Sequence, residues 1–111
     1  MSRRHRIALV GCGDIAETGH LPALLAHPRF ELVAACDIRP ERARLLAGRA
    51  GGIRVLTDYR ALVEDRSIDA VVLALHPEHS VDAAIAFLGA GTAVLDEKPL
   101  ACTLADGERV A

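Results

Sequence analysis

Short runs of aliphatic and β-branched residues, Ile7 to Val10, Leu32 to Cys36, Ala70 to Ala74 and Ala93 to Leu95, are separated by longer stretches whose apolar residues recur at helical spacing. Runs that are apolar at every position, rather than at alternate ones, belong to strands buried on both faces, and the helices between them supply the cover. With Arg54 to Leu56 as a further brief strand, the predicted order is β-α-β-α-β-α-β-α-β. Right-handed crossovers then give a doubly wound α/β fold with a parallel sheet of strand order 3-2-1-4-5. A ligand crevice is expected outside the carboxyl ends of strands one and four, where the strand order reverses.

The helices have their own punctuation. Near Ser80 a helix begins that places Val81, Ala84, Ile85 and Leu88 on one stripe and meets Gly89 and Gly91. Another starts at Pro40, a favoured first helical residue, carries Ala43, Leu46, Ala47 and Ala50, and stops at Gly51-Gly52. Asp58 is placed to cap a short helix bearing Leu62. Leu104 to Ala111 reads as a helix cut short. No repeat, linker or low-complexity tract interrupts the chain, so residues 1–111 are expected to form one domain.

Composition narrows the function. Hydrophobic residues make up 51% and charged residues 25% of the chain, which fits a soluble globular domain, and with aromatics at 3% the core must be built from Ala, Val, Leu and Ile. A formal net charge of −2 supplies no broad positive field, which argues against nucleic acid as a partner. The basic start, Ser2 to Arg6, precedes an apolar run that meets Gly11 too soon for an export signal, and no stretch approaches the roughly 20 apolar residues of a membrane span. A cytoplasmic protein without a membrane contact is expected. Cys12, Cys36 and Cys102 lack companions at zinc-site spacing, so reduced, packing thiols and no metal are expected.

The chemistry-bearing signal is Val10-Gly11-Cys12-Gly13-Asp14-Ile15-Ala16, which follows the first strand and opens the first helix. It fits the G-x-G-x-x-A form of the Rossmann dinucleotide turn. Gly11 permits the tight turn, Gly13 lets the backbone approach a pyrophosphate, Ala16 lets helix and strand pack closely, and the helix-start N–H groups face the phosphates. Glycine turns also join strands to helices in folds that bind nothing. What adds weight is Asp37 at the end of strand two, where a carboxylate would accept the adenine ribose hydroxyls. The alternative is a solvated Asp37 capping the helix from Pro40. A ribose-binding Asp favours NAD over NADP. Ile38 follows it, and Arg39 is near enough to reach a 2′-phosphate or the adenine face unless it is merely solvated.

The second half of the crevice is expected after strand four, in Leu75-His76-Pro77-Glu78-His79-Ser80. His76 and His79 invite a catalytic reading there; in the plainer one, Pro77 shapes the turn while Glu78 and Ser80 favour the next helix start. Strand five ends in Asp96-Glu97-Lys98-Pro99-Leu100, and a Lys98 held beside an oxidised nicotinamide would have its pKa lowered toward a useful range.

The glycine turn, Asp37, Asp69-Ala70-Val71-Val72, the Pro77 turn, Ala90-Gly91 and Glu97-Lys98-Pro99, in that order, resemble the Gfo/Idh/MocA oxidoreductase family over essentially the whole chain. The resemblance implies hydride transfer between NAD(P) and a sugar, cyclitol or related hydroxy compound. It implies that Lys98 contacts the substrate hydroxyl and assists proton transfer, with Glu97 and Pro99 shaping the site. It further implies that Pro77 and its neighbours Leu75, His76 and His79 line the nicotinamide ribose. The turn departs from the family's frequent Thr-Pro-Asn, reading His76-Pro77-Glu78, and Val81 sits near the position where a His often follows. Family members also add a last strand and a C-terminal α+β substrate domain. The chain is therefore expected to be a fragment or truncated unit, inactive alone, with a sheet edge open to association. Two other functions remain in view: a non-catalytic NAD-binding module acting through a partner chain, and an adenosylmethionine-binding turn, against which Ile15 stands where a third glycine is usual.

Overall fold

The computed structural model describes residues 4–13 and 16–96. It forms a five-stranded parallel sheet of order β3-β2-β1-β4-β5, with strands β1 (His5–Val10), β2 (Phe30–Cys36), β3 (Arg54–Leu56), β4 (Ala70–Leu73) and β5 (Ala93–Asp96). The expected doubly wound order is therefore the observed one. Helices α1 (Leu21–Ala26) and α2 (Pro40–Arg49) cover one face, while α3 (Arg60–Val63) and α4 (Pro77–Gly89) cover the other. Right-handed crossovers dictate this division, because the chain winds first from β1 toward β3 and then from β4 toward β5.

Each face has its own core. Ile7, Leu9, Leu32, Ala35 and Val72 meet Leu21 and Leu24 of α1 and Ala43, Leu46 and Ala47 of α2. On the opposite face, Ala8, Val10, Ala34, Cys36, Val71 and Leu73 meet Leu62, Ala83, Ala84 and Phe87. Alanines at so many of the contacts let helix backbones lie close to the sheet. Phe87 is the largest fully buried side chain and packs on Tyr59 at a centroid distance of 5.8 Å.

The register between β1 and β2 slips by one residue. Ile7 pairs with Leu32 but Ala8 pairs with Ala34, leaving Val33 as an inserted residue. Alternation in a strand has a period of two, so one inserted residue exchanges the faces of everything after it. Val33 and Ala34 both pack toward α3 and α4, and Ala35 returns to the face of α1 and α2. Continued alternation brings Asp37, the next residue of that parity, to the layer of the glycine turn.

The helices differ from their sequence-based expectations in two places. The α4 helix starts at Pro77, a turn before Ser80, and its buried stripe is Ser80, Val81, Ala83, Ala84 and Phe87 rather than one containing Leu88, which is 48% exposed. Burying the Phe87 ring, at about 1.5–3 kcal/mol, sets the rotation of the helix and outweighs the loss at Leu88. The segment after the glycine turn is not a regular α-helix throughout. Residues Ala16–His20 form a wide π-helical turn that runs into α1. Pro22 has no N–H to continue the ordinary ladder back to Thr18, so the regular pattern is broken at that step. Strand β4 ends at Leu73, one residue before its apolar run does, although the Ala74 N–H still donates to the Val10 carbonyl at 2.8 Å. The expected helix from Leu104 to Ala111 lies outside the described residues. Among the described residues no helix is long and apolar enough to cross a membrane.

Gly11 is dictated by this fold. Its φ is +95°, and a Cβ there would collide with the Ala74 carbonyl oxygen and lie 2.7 Å from the carbonyl carbon. Both obstacles are backbone and cannot rotate away. Gly11→Ala is expected to destabilise the chain by at least about 3 kcal/mol, combining left-handed strain with the clash, as read from urea unfolding. A midpoint equal to that of the parent chain would contradict the assigned contact.

Candidate functional site

The carboxyl ends of β1, β2 and β4 meet at the glycine turn. Cys12 sits at its centre, and both ends of its backbone are fixed by long-range contacts. Its N–H donates to Asp37 Oδ2 at 2.7 Å, and its carbonyl accepts from Arg42 Nε at 2.6 Å. The Cys12 side chain points into the core, with Sγ 3.4 Å from the Cys36 carbonyl, which explains why a small apolar residue occupies the middle of the turn. Burial, with the negative charge of Asp37 second, pushes both Cys12 and Cys36 up to about 12. Both thiols are therefore protonated at neutral pH and poor nucleophiles. Cys102 lies outside the described residues.

Asp37 is 7% exposed and is not the solvated cap of α2 that the plainer sequence reading allowed. Its Oδ1 accepts from the Arg39 N–H at 2.8 Å and from Arg39 Nε at 3.1 Å, and its Oδ2 accepts from Arg39 Nη2 at 3.1 Å in addition to the Cys12 amide. Burial acts to raise the pKa of this carboxyl, but the bonds from Arg39 and from the Cys12 amide outweigh it, so the net shift is downward and the group is ionised at neutral pH. The contribution is present above the ordinary carboxylate range and is lost as pH falls through the lowered value.

Arg42 and Glu17 join this site without having been singled out in the sequence. Arg42 Nη2 donates to Glu17 Oε1 at 3.0 Å, and Arg49 pairs with the other oxygen of Glu17. The result is a clamp from α2 onto the turn and onto the segment that follows it. Nothing in local spacing reveals such a pair, since its members stand on different elements brought together by the crossover.

The two glycines of the turn differ in kind. Gly13 lies outside the left-handed region, and a Cβ placed on it would find only Arg39 Nη2, at an ordinary contact distance of 3.8 Å. Among the described residues neither conformation nor packing requires a glycine there. Ala16 is fully buried in the core beneath the turn. Asp14 and Ile15 lie outside the described residues.

Beside the turn, a cleft of about 360 Å³ opens along the ends of β2 and β3, lined among others by Asp37, Ile38, Thr57, Tyr59 and Arg60. Ile38 is 86% exposed at its mouth. Leu75 lines the same cleft and approaches Gly11, so the segments after β1 and β4 are adjacent, as the switch point demands. His76 precedes the first turn of α4, and its carbonyl accepts from the His79 and Ser80 amides at 2.9 and 3.0 Å. Pro77 is the first residue of that helix, and both His76 and His79 have exposed side chains. Glu97 and Lys98 lie outside the described residues, so the strand-five element is not placed against the crevice.

These features define a Rossmann-type nucleotide-binding unit. The chain belongs to the Gfo/Idh/MocA oxidoreductase family, whose NAD-binding Rossmann-fold model matches residues 5–111. Among similar proteins, a dTDP-3,4-didehydro-2,6-dideoxy-alpha-D-glucose 3-reductase of Streptomyces violaceoruber is 39% identical over 97% of this chain and 31% of its own length. The inositol 2-dehydrogenase of Salmonella typhimurium is 38% identical over 95% of this chain and 32% of its own. Among solved structures, a 3-ketoreductase from Actinomadura kijaniata in complex with NADP superposes with a TM-score of 0.89 at 35% identity, covering 97% of this chain and 34% of that one. The WlbA dehydrogenase from Bordetella pertussis in complex with NADH and UDP-GlcNAcA gives a TM-score of 0.88 at 35% identity, covering 97% and 33%. The chain thus spans about a third of the length of these relatives.

Because nothing among the described residues requires a glycine at position 13, Gly13→Val is expected to leave the unfolding free energy within about 1 kcal/mol of the parent while abolishing saturable NADH or NADPH binding in calorimetric titration. Unchanged affinity would overturn the proposed seat of the pyrophosphate.

Proposed function

We propose that this chain is the cofactor-holding part of an oxidoreductase that transfers hydride between a nicotinamide dinucleotide and a sugar, cyclitol or related hydroxy compound. The observation that carries the proposal is the contrast between the glycines. Gly11 is fixed by a backbone collision, whereas among the described residues only Arg39 Nη2, at 3.8 Å, meets a Cβ placed on Gly13, which leaves the room that a pyrophosphate pressed against the backbone requires. The adenosine would lie in the cleft along β2 and β3, between Ile38, Arg39 and the Asp37 end of the turn. The nicotinamide half would lie toward Leu75, His76, Pro77 and His79 at the end of β4. The bound cofactor supplies the hydride acceptor or donor, and the chain's own contribution is to bind and orient it.

For the chemical step the family resemblance supports Lys98, with Glu97 and Pro99 beside it, as the group that contacts the substrate hydroxyl and assists its proton transfer. The named relatives are a sugar 3-reductase and an inositol dehydrogenase, which supports a polyhydroxylated substrate class. They also extend well beyond the matched region, which supports a substrate pocket supplied by a separate domain.

Parallel titrations with NADH, NADPH and adenosylmethionine test the cofactor assignment. Saturable binding of a nicotinamide dinucleotide and none of adenosylmethionine is expected, and the reverse would sink the reading. In the polypeptide paired with its substrate domain, Lys98→Met is expected to lower turnover of a sugar or cyclitol substrate by at least about 100-fold, as measured by nicotinamide absorbance. Dinucleotide affinity should be unchanged, and undiminished turnover would remove Lys98 from the mechanism.

A further inference from the structure

Gly13 carries no conformational safeguard of its own. Without a Cβ it takes φ of either sign at little cost, so nothing in the glycine prevents the peptide between Cys12 and Gly13 from turning over. The Cys12 carbonyl and the Gly13 N–H belong to one planar trans unit and point in opposite directions. Whatever holds the carbonyl therefore also aims the amide, and a turned-over peptide would present an oxygen where a phosphate needs a donor.

Arg42 is what holds that carbonyl. Its Nε donates to the Cys12 oxygen at 2.6 Å, a short charge-assisted bond from a side chain that is 21% exposed. Its Nη2 donates to Glu17 Oε1 at 3.0 Å, and the Glu17 N–H in turn donates to the Gly13 carbonyl at 3.0 Å. Arg42 and Glu17 thus close a ring of contacts around Gly13 that fixes the peptide on each side of it. The ring is anchored by α2, whose Ala43, Leu46 and Ala47 are buried in the core. The Gly13 N–H points away from the guanidinium, and among the described residues no protein acceptor meets it. Arg42 has no atom within 4 Å of a Cβ placed on Gly13, so it holds the peptide without filling the room over the glycine.

We propose that Arg42 is a positioning residue of the pyrophosphate seat, seconded by Glu17: it keeps the Gly13 N–H turned away from α2 and toward the bound phosphates, and does not itself touch the cofactor. The inference rests on the dinucleotide reading above. The competing role for a cation beside this turn is plain attraction to the phosphates.

Two substitutions at position 42 separate the roles. Gln carries Nε2 as many bonds from the backbone as Arg carries Nε, so it retains a donor for the Cys12 carbonyl without the charge, whereas Met matches the length and supplies neither. In calorimetric titration of the folded chain with NADH and with NADPH, Arg42→Met is expected to weaken the bound dinucleotide by at least about tenfold and Arg42→Gln to stay within about threefold of the parent. Glu17→Ala, which also serves if Arg42→Met does not fold, is expected to weaken binding by at least about threefold because it removes one tie of the guanidinium. Attraction by charge predicts the opposite sign, since a carboxylate is taken away from beside an anionic ligand. Equal losses in Arg42→Met and Arg42→Gln, undiminished affinity in Arg42→Met, or tighter binding by Glu17→Ala would overturn the inference and leave the dinucleotide site intact. Binding of neither dinucleotide by the folded parent would overturn the dinucleotide reading itself.

Discussion

The bond from the Cys12 amide to the Asp37 carboxylate is the contact on which the site depends. It joins the turn after the first strand to the end of the second, between two buried residues. A buried amide bonded to a charged acceptor contributes about 1.5–3 kcal/mol, and loss of the acceptor would leave the N–H with no replacement. Arg42 fixes the other end of the same residue through its carbonyl, and Glu17 ties that guanidinium to the segment beyond the turn. The backbone of Cys12, next to Gly13, is therefore held at both its N–H and its carbonyl before any ligand arrives. Such rigidity reduces the ordering cost of binding.

That contact exists because of a packing irregularity elsewhere. Were Val33 paired in regular register rather than bulged out, strict alternation would turn Asp37 toward the face of α3 and α4, away from the Cys12 amide. The bulge exchanges the faces for the last residues of β2 and aligns the carboxylate with the glycine turn. On the opposite face, Phe87 and Tyr59 fix α4 and α3 against the sheet, which holds the segment carrying Leu75 and His76 beside β1. Fold and site are coupled through these two layers, and the family's Rossmann unit takes its shape from both.

Much of this was legible from residue order. Continuous apolar runs between helical stretches specify strands covered on both faces, and right-handed crossover then fixes the order 3-2-1-4-5. Pro40 and Gly51-Gly52 bracket α2 because one lacks an N–H and the others take positive φ. The rotation of α4 was less legible: Ser80 is polar yet 1% exposed, so a stripe drawn from apolar residues alone starts one position late and points Leu88 inward. The clamp of Arg42 and Glu17 was not legible at all, since charged residues on separate elements carry no mark of their future neighbour.

The sequence by itself determined the fold class, the position of the glycine turn and the family, because these depend on local conformational preference, on short-range periodicity and on motifs read in order. Tertiary structure alone decided which groups Asp37 bonds. Its carboxylate accepts from the Cys12 amide of the turn and from Arg39, an arrangement that no local pattern announces and that accompanies a one-residue slip in strand pairing. It also separated Gly11 from Gly13, which look equivalent in the motif: the first is set by the carbonyl of Ala74, just after the neighbouring parallel strand β4, while a Cβ on the second would meet only Arg39 among the described residues, at an ordinary contact distance. Local energetics select the elements; only their assembly in space assigns each polar group its partner.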